Sequence, residues 1–155
     1  MELSEERILV AVPRETVIEE MQRPETLERT IPNCSHVEQT AEREYRAEVS
    51  ERISMMSLDL ELDIEVVRFN PPDDFAVAVS GHGDGSDTRV SAEADFDLSE
   101  TDDGRTAIDF EMNIDVSGKL ASLGFRMIRS TVEERTDQMI ENIEETFAEQ
   151  STSSA

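Results

Sequence analysis

Two hydrophobic periods, one giving way to the other, constrain this chain more than anything else in it. Leu58, Leu60, Leu62, Ile64 and Val66 alternate with Asp59, Glu61, Asp63 and Glu65. Val90, Ala92, Ala94, Phe96 and Leu98 stand in the same way against Ser91, Glu93, Asp95 and Asp97, and Ile108, Phe110, Met112, Ile114 and Val116 against Asp109, Glu111, Asn113 and Asp115. Successive side chains of a strand point to opposite faces, so each run specifies a strand with one apolar and one acidic side. Tyr45, Ala47 and Val49, set against Arg46, Glu48 and Ser50, predict another strand, and Phe75 to Ser80 a further one. Joined by the turns that Asn70-Pro71-Pro72-Asp73-Asp74 and Asp102-Asp103-Gly104 imply, these strands form an antiparallel sheet with a dry face and a wet one.

After Ser117-Gly118 the period lengthens. Leu120, Leu123, Met127, Ile128, Met139, Ile140, Ile143 and Phe147 recur mostly at three- and four-residue steps, predicting a helix of about 30 residues that covers the dry face. Between Met127 and Met139 the stripe thins to Thr131, Val132 and Arg135, so the middle of that helix is expected to pack loosely. At the other end, Leu3 to Val12 reads as a first strand. Pro13 suits the first position of a short helix to Met21, and Pro24 opens a second one, which Ile31-Pro32 ends because a residue before proline avoids helical angles. No internal repeat or linker divides the chain. One domain over residues 1–149 and a frayed Ser/Thr-rich tail over 150–155 are expected.

The acidic balance is large: 37 Asp and Glu against 14 Lys and Arg, a formal net charge of −23, with Lys119 the single lysine. Such a field repels phosphate, which disfavours electrostatic binding to nucleic acid and to anionic lipid. The acids alternate with apolar residues, a pattern that disordered segments lack, so the acidity reads as adaptation to high salt, where the screening length falls to ~3 Å. No apolar run approaches the ~20 residues of a membrane span. The acidic start, Met-Glu-Leu-Ser-Glu-Glu-Arg, lacks the features of a signal peptide, and cytoplasmic residence is the expectation. The lone cysteine, Cys34, excludes an internal disulfide and agrees with a reducing compartment.

Catalytic signatures are sparse. Cys34 and His36 would share a face of an extended strand, but no oriented base, nucleophile elbow, HExxH motif or paired cysteines accompany them. His82, Asp84 and Asp87 carry metal-binding atoms in a glycine-rich hairpin that lacks the closing Glu of an EF-hand loop, so neither a metal nor a cofactor is expected.

Strand, two short helices, about six consecutive strands and a long helix is the order of the helix-grip, START-like or Bet v 1-like fold of the polyketide-cyclase superfamily. Val12-Pro13-Arg14-Glu15-Thr16-Val17, Pro24-Glu25-Thr26-Leu27 and Ile31-Pro32-Asn33-Cys34 resemble the N-terminal signature of the CoxG family, which is associated with carbon monoxide dehydrogenase. Pro71-Pro72, Ser80-Gly81 with Gly83 and Gly85, and Gly118-Lys119-Leu120-Ala121-Ser122-Leu123-Gly124 resemble its later landmarks. Asn33 and Arg23 depart from it, standing where the family usually has glycine and aspartate. The resemblance implies an α+β fold, with a curved antiparallel sheet of about six to seven strands around the long helix.

The same resemblance implies a non-catalytic protein that binds an apolar, quinone- or lipid-like molecule beside a molybdenum hydroxylase. Its role would lie in assembly, recruitment to the inner face of the membrane, or electron hand-over. Ile31, Met56, Phe96, Met112, Leu123 and Met127 are the candidate ligand contacts. Two alternatives stay open: a polyketide cyclase- or dehydrase-like enzyme on the same fold, and an adaptor with a closed core. Gly118 and Gly124, which bracket the start of the long helix, allow either a close backbone approach or room for a ligand.

Overall fold

The computed structural model describes residues 2–4, 8–83 and 87–153. Strands β1 (Glu2–Ser4) and β2 (Ile8–Val10) precede helices α1 (Arg14–Glu20) and α2 (Pro24–Thr30). Six strands follow: β3 (Cys34–Ala41), β4 (Glu44–Ile53), β5 (Met56–Asn70), β6 (Asp74–Gly83), β7 (Arg89–Glu100) and β8 (Thr106–Ser117). A 3-10 segment, Gly118–Leu123, leads into α3 (Phe125–Ser153). All strand pairings are antiparallel, in the order β1-β8-β7-β6-β5-β4-β3, with β2 also on β8. The curved sheet and its long helix form a helix grip.

The first strand predicted from Leu3 to Val12 is split. Ser4 lies opposite Glu111 and Ile8 opposite Ile108, so β1 and β2 follow one another along β8 and occupy a single edge position. Residues 5–7 lie outside the described residues. The turns follow the sequence closely, with Asn70 to Asp73 joining β5 to β6 and Thr101 to Arg105 joining β7 to β8.

Alternation sets the register. Across β7 and β8 the apolar rungs are Leu98 with Ile108, Phe96 with Phe110, Ala94 with Met112, Ala92 with Ile114 and Val90 with Val116. One-residue slippage would turn this whole set to solvent. Phe75, Phe96 and Phe110 stack across three strands at 4.8 and 5.9 Å between ring centroids, each contact contributing about 0.5–1.5 kcal/mol beyond area burial.

Prolines set the starts of α1 and α2, and Ile31, extended before Pro32, ends α2. Pro24 occupies the first turn of α2, where its missing N–H has no partner to lose. Asn33, standing where the family usually has glycine, has φ 59°, a left-handed conformation that asparagine tolerates well. Tyr45 donates to the carbonyl of Gln22 at 2.7 Å, tying the α1–α2 link to the sheet, and Asn142 of α3 donates to the carbonyl of Thr30 at 3.3 Å.

The long helix does not start where its apolar period starts. Leu120 and Leu123 belong to the 3-10 segment, and Gly124, at φ 91°, breaks the chain direction before α3 begins at Phe125. At its other end α3 continues to Ser153, into the Ser/Thr-rich stretch that composition marks for fraying. Its C-terminal half is clamped: Ile143 and Phe147 are buried among Ile8, Val10, Val17, Ile18, Leu98, Ile108 and Phe110. Its first half stands over a different surface.

Candidate functional site

Between the first half of α3 and the dry face lies a partly open cavity of about 230 Å³. Leu60, Val90, Met112, Ile114 and Val116 form its floor on β5, β7 and β8. Ile128, Thr131, Val132, Thr136 and Met139 form its roof, while Ile53 and Leu120 contribute from the end where the 3-10 segment packs. The cause lies in the sequence. Where α3 offers Ile143 and Phe147 it reaches the sheet, whereas Thr131, Val132 and Thr136 are short, and no aromatic side chain rises from the floor to meet them. The thinning of the apolar stripe thus marks the roof of the cavity.

The wall holds one ion pair. On β4 the inward series Tyr45, Ala47, Val49 continues in phase to Glu51 and then Ile53, so a carboxylate stands on the dry face. Arg135 of α3 meets it, Nε donating to Oε1 at 2.9 Å and to Oε2 at 3.0 Å, with side-chain exposures of 24% and 11% for Arg135 and Glu51. Asn33 Nδ2 donates to the same Oε1 at 3.2 Å. Two partly buried charges satisfy one another here, whereas removing either alone would strand the other at a cost of about 3–5 kcal/mol. Both residues are legible as a break in pattern: the two-residue period of β4 carried one step past Val49 lands on Glu51, and Arg135 interrupts the stripe of α3.

The six candidate contacts are dispersed. Met112 lines the cavity. Phe96 is the middle ring of the stacked trio at the clamped end of α3, and Ile31 packs with Leu27 against Val37, Tyr45 and Ala47 beneath α2. Met56 and Leu123 pack against Ile53, Leu58 and Leu120, next to the cavity end formed by the 3-10 segment. Met127 is 41% exposed on α3 and lies outside the lining.

Neither histidine reaches the cavity. His82 is exposed beside Glu48, Asp59 and Glu61 on the wet face. A bulge between Cys34 and His36 alters the alternation that would have placed them on one face. Cys34 packs against the Val37 cluster and its thiol donates to the carbonyl of His36 at 3.5 Å, while the imidazole is exposed. Burial raises the Cys34 thiol above its ordinary range, with the carboxylate of Glu28 adding to the effect against backbone hydrogen bonds. Less thiolate is then present at any given pH. Alkylation by iodoacetamide at pH 8 should therefore run several-fold slower than for a free cysteine, and should accelerate only at higher pH; a rate matching the free amino acid would contradict this.

Asp87, one of the potential metal ligands in the hairpin, accepts instead from the backbone N–H of Lys119 at 2.9 Å. Asp84 lies outside the described residues. Among the described residues no group of three or more His, Cys, Asp or Glu is placed to hold a metal ion, and no helix is long and apolar enough to cross a membrane.

Residues 7–148 match the family profile of the carbon monoxide dehydrogenase subunit CoxG. No curated protein matches the chain. Among solved structures, a conserved protein from Geobacillus kaustophilus superposes with a TM-score of 0.84 at 24% identity, over 96% of each chain. A START superfamily protein from Mycobacterium smegmatis gives 0.71 at 14% identity, over 96% of this chain and 98% of that one. The Zhui aromatase/cyclase from Streptomyces sp. R1128 gives 0.66 at 12% identity, over 96% and 94%. These likenesses establish the START-like fold.

Proposed function

Since the chain belongs to the CoxG family of carbon monoxide dehydrogenase subunits, we propose that it is a non-catalytic carrier of an apolar, quinone- or lipid-like molecule. In this reading it acts in the cytoplasm beside a molybdenum hydroxylase, in assembly, recruitment to the inner face of the membrane, or electron hand-over. The observation that carries the proposal is the cavity itself: a START-like fold whose long helix leaves an apolar space of about 230 Å³ against the sheet. Apolar walls with a few placed polar groups are the usual composition of a small-molecule site.

Carriage is favoured over turnover by the state of the titratable groups. General acid–base work needs a group free to exchange a proton with the substrate. In the cavity wall the carboxylate of Glu51 is engaged by Arg135 and Asn33, while the histidines and Cys34 lie elsewhere. The cyclase likeness, at 12% identity, concerns the fold.

Native mass spectrometry of protein purified in molar salt tests the proposal. An apolar adduct is expected on the wild-type protein and should fall at least about tenfold in Val132→Trp, whose indole takes up the space. Circular dichroism checks that the variant is folded. A folded variant that keeps its full adduct would place the ligand outside this cavity, and catalytic conversion of a cyclic ketone by the wild-type protein would favour the enzyme.

A further inference from the structure

The roof and floor of the cavity are apolar, yet one of its polar groups has hydrogen-bond donors to spare. Thr131 and Thr136 spend their hydroxyl protons on their own helix, donating to the carbonyls of Met127 at 3.0 Å and Val132 at 2.8 Å. Glu51 is an acceptor whose two oxygens already share the single Nε–H of Arg135, while Oε1 also accepts from the Asn33 amide. Arg135 uses only Nε in this way. Among the described residues neither of its Nη atoms donates a hydrogen bond, although Nη1 lies 3.5 Å from the exposed carboxylate of Glu134. A guanidinium carries five N–H donors and no acceptor, and Arg135 lines the cavity, so its Nη donors can serve a ligand's acceptor in place of solvent.

We infer that Arg135, positioned by Glu51 and Asn33, is the head-group anchor of the cavity, and that the ligand presents to it a neutral carbonyl oxygen on an otherwise apolar body. Charge decides between a carbonyl and a carboxylate. The Arg135 cation is already compensated by Glu51 at 2.9 Å, so an anionic head would leave an uncompensated negative charge in a partly buried site. A neutral carbonyl accepts from the spare N–H groups and leaves the ion pair intact. Asn33 gives the anchor its third member. From a left-handed backbone its side-chain amide holds Oε1 of Glu51, leaving Oε2 to Arg135 alone.

This assignment rests on the carrier reading, and three probes of similar shape separate the two. In molar potassium chloride, the fluorescence of 2-acetylnaphthalene, 2-ethylnaphthalene and 2-naphthoate reports binding of a ketone, a hydrocarbon and an anion. The wild-type protein should bind the ketone about tenfold more tightly than the hydrocarbon, the effect of one charge-assisted hydrogen bond, and the naphthoate more weakly than the ketone. Arg135→Met combined with Glu51→Leu removes both charges together, so that no unpaired ion is left to unfold the protein. That variant should keep its affinity for the hydrocarbon and lose the preference for the ketone. A preference that survives in the double variant, is absent from the wild type, or is reversed in favour of naphthoate overturns the anchor. Failure of the wild-type protein to bind either neutral probe defeats the carrier reading itself.

Discussion

Transferred from molar potassium chloride to dilute buffer, the protein should lose on the order of 10 °C in its unfolding temperature. The cause is visible in the ladder of the sheet. Glu44 faces Glu65, Glu48 faces Glu61, Asp74 faces Asp97, Asp95 faces Glu111 and Asp97 faces Asp109, each pair directly opposite across neighbouring strands. Facing like charges destabilise a sheet by roughly 0.2–1 kcal/mol each, and in a domain of this size each kcal/mol shifts the midpoint by about 2–4 °C. Two cations on this face are each shared: Arg46 reaches both Glu61 and Asp63, and Arg68 bridges Asp74 and Asp95 at 2.8 Å to each. Molar salt screens the repulsion between the facing carboxylates. Thermal unfolding followed by circular dichroism across a salt series measures the effect, and Glu111→Lys should make the dependence shallower. A midpoint independent of salt would refute this account of the acidity.

Gly118→Ala should destabilise the fold by about 3–4 kcal/mol, a large share of the ~5–15 kcal/mol that holds a typical domain together. Gly118 sits at φ 81° as the first residue of the 3-10 segment, directly after β8, and a Cβ placed there would lie 2.0 Å from the carbonyl oxygen of Asp87 and 2.6 Å from its carbon. Those are backbone atoms, which cannot swing aside as a side chain can. The same junction is closed by hydrogen bonds from the Lys119 N–H to Asp87 Oδ1 and from the Leu120 N–H to Thr88 Oγ1. Gly124→Ala supplies the control. With φ 91° but nothing within 4 Å of the added carbon, it should suffer only the conformational cost of about 1–3 kcal/mol. Urea unfolding at constant molar salt would compare the two, and equal losses would show that the segment at Asp87 can retreat. The two glycines that bracket the helix start therefore serve different needs, a close approach at one and a backbone angle at the other.

Periodicity revealed the sheet because a strand buried on one side must alternate, and it revealed the helix because a stripe must recur every three to four residues. Neither period carries information on depth. Phe96 and Met112 stand on the same dry face and both pack against the cluster at the clamped end of α3, yet of the two it is Met112 that also reaches the open space beneath its first half. Which part of the face is covered depends on where Gly124 redirects the chain, and that is a three-dimensional outcome. Met127 belongs to the apolar stripe by spacing but lies beside the break at Gly124, where the helix has only begun and its side chain is 41% exposed. Glu51 is the instructive case. An acid in the inward phase looks like the end of a strand when only one strand is read, because its partner Arg135 lies 84 residues away on α3.

The strict division of each strand into inward and outward positions has a practical consequence for redesign. Residues such as Glu93, Glu111 and Asp115 are exposed on the outer side of the strands whose alternate positions floor the cavity. They can be exchanged without altering a cavity-lining residue. A recoded outer face, with some acids replaced by lysine, would turn this protein into a low-salt reagent with its interior unchanged. The salt response would then be adjustable with the cavity lining held constant.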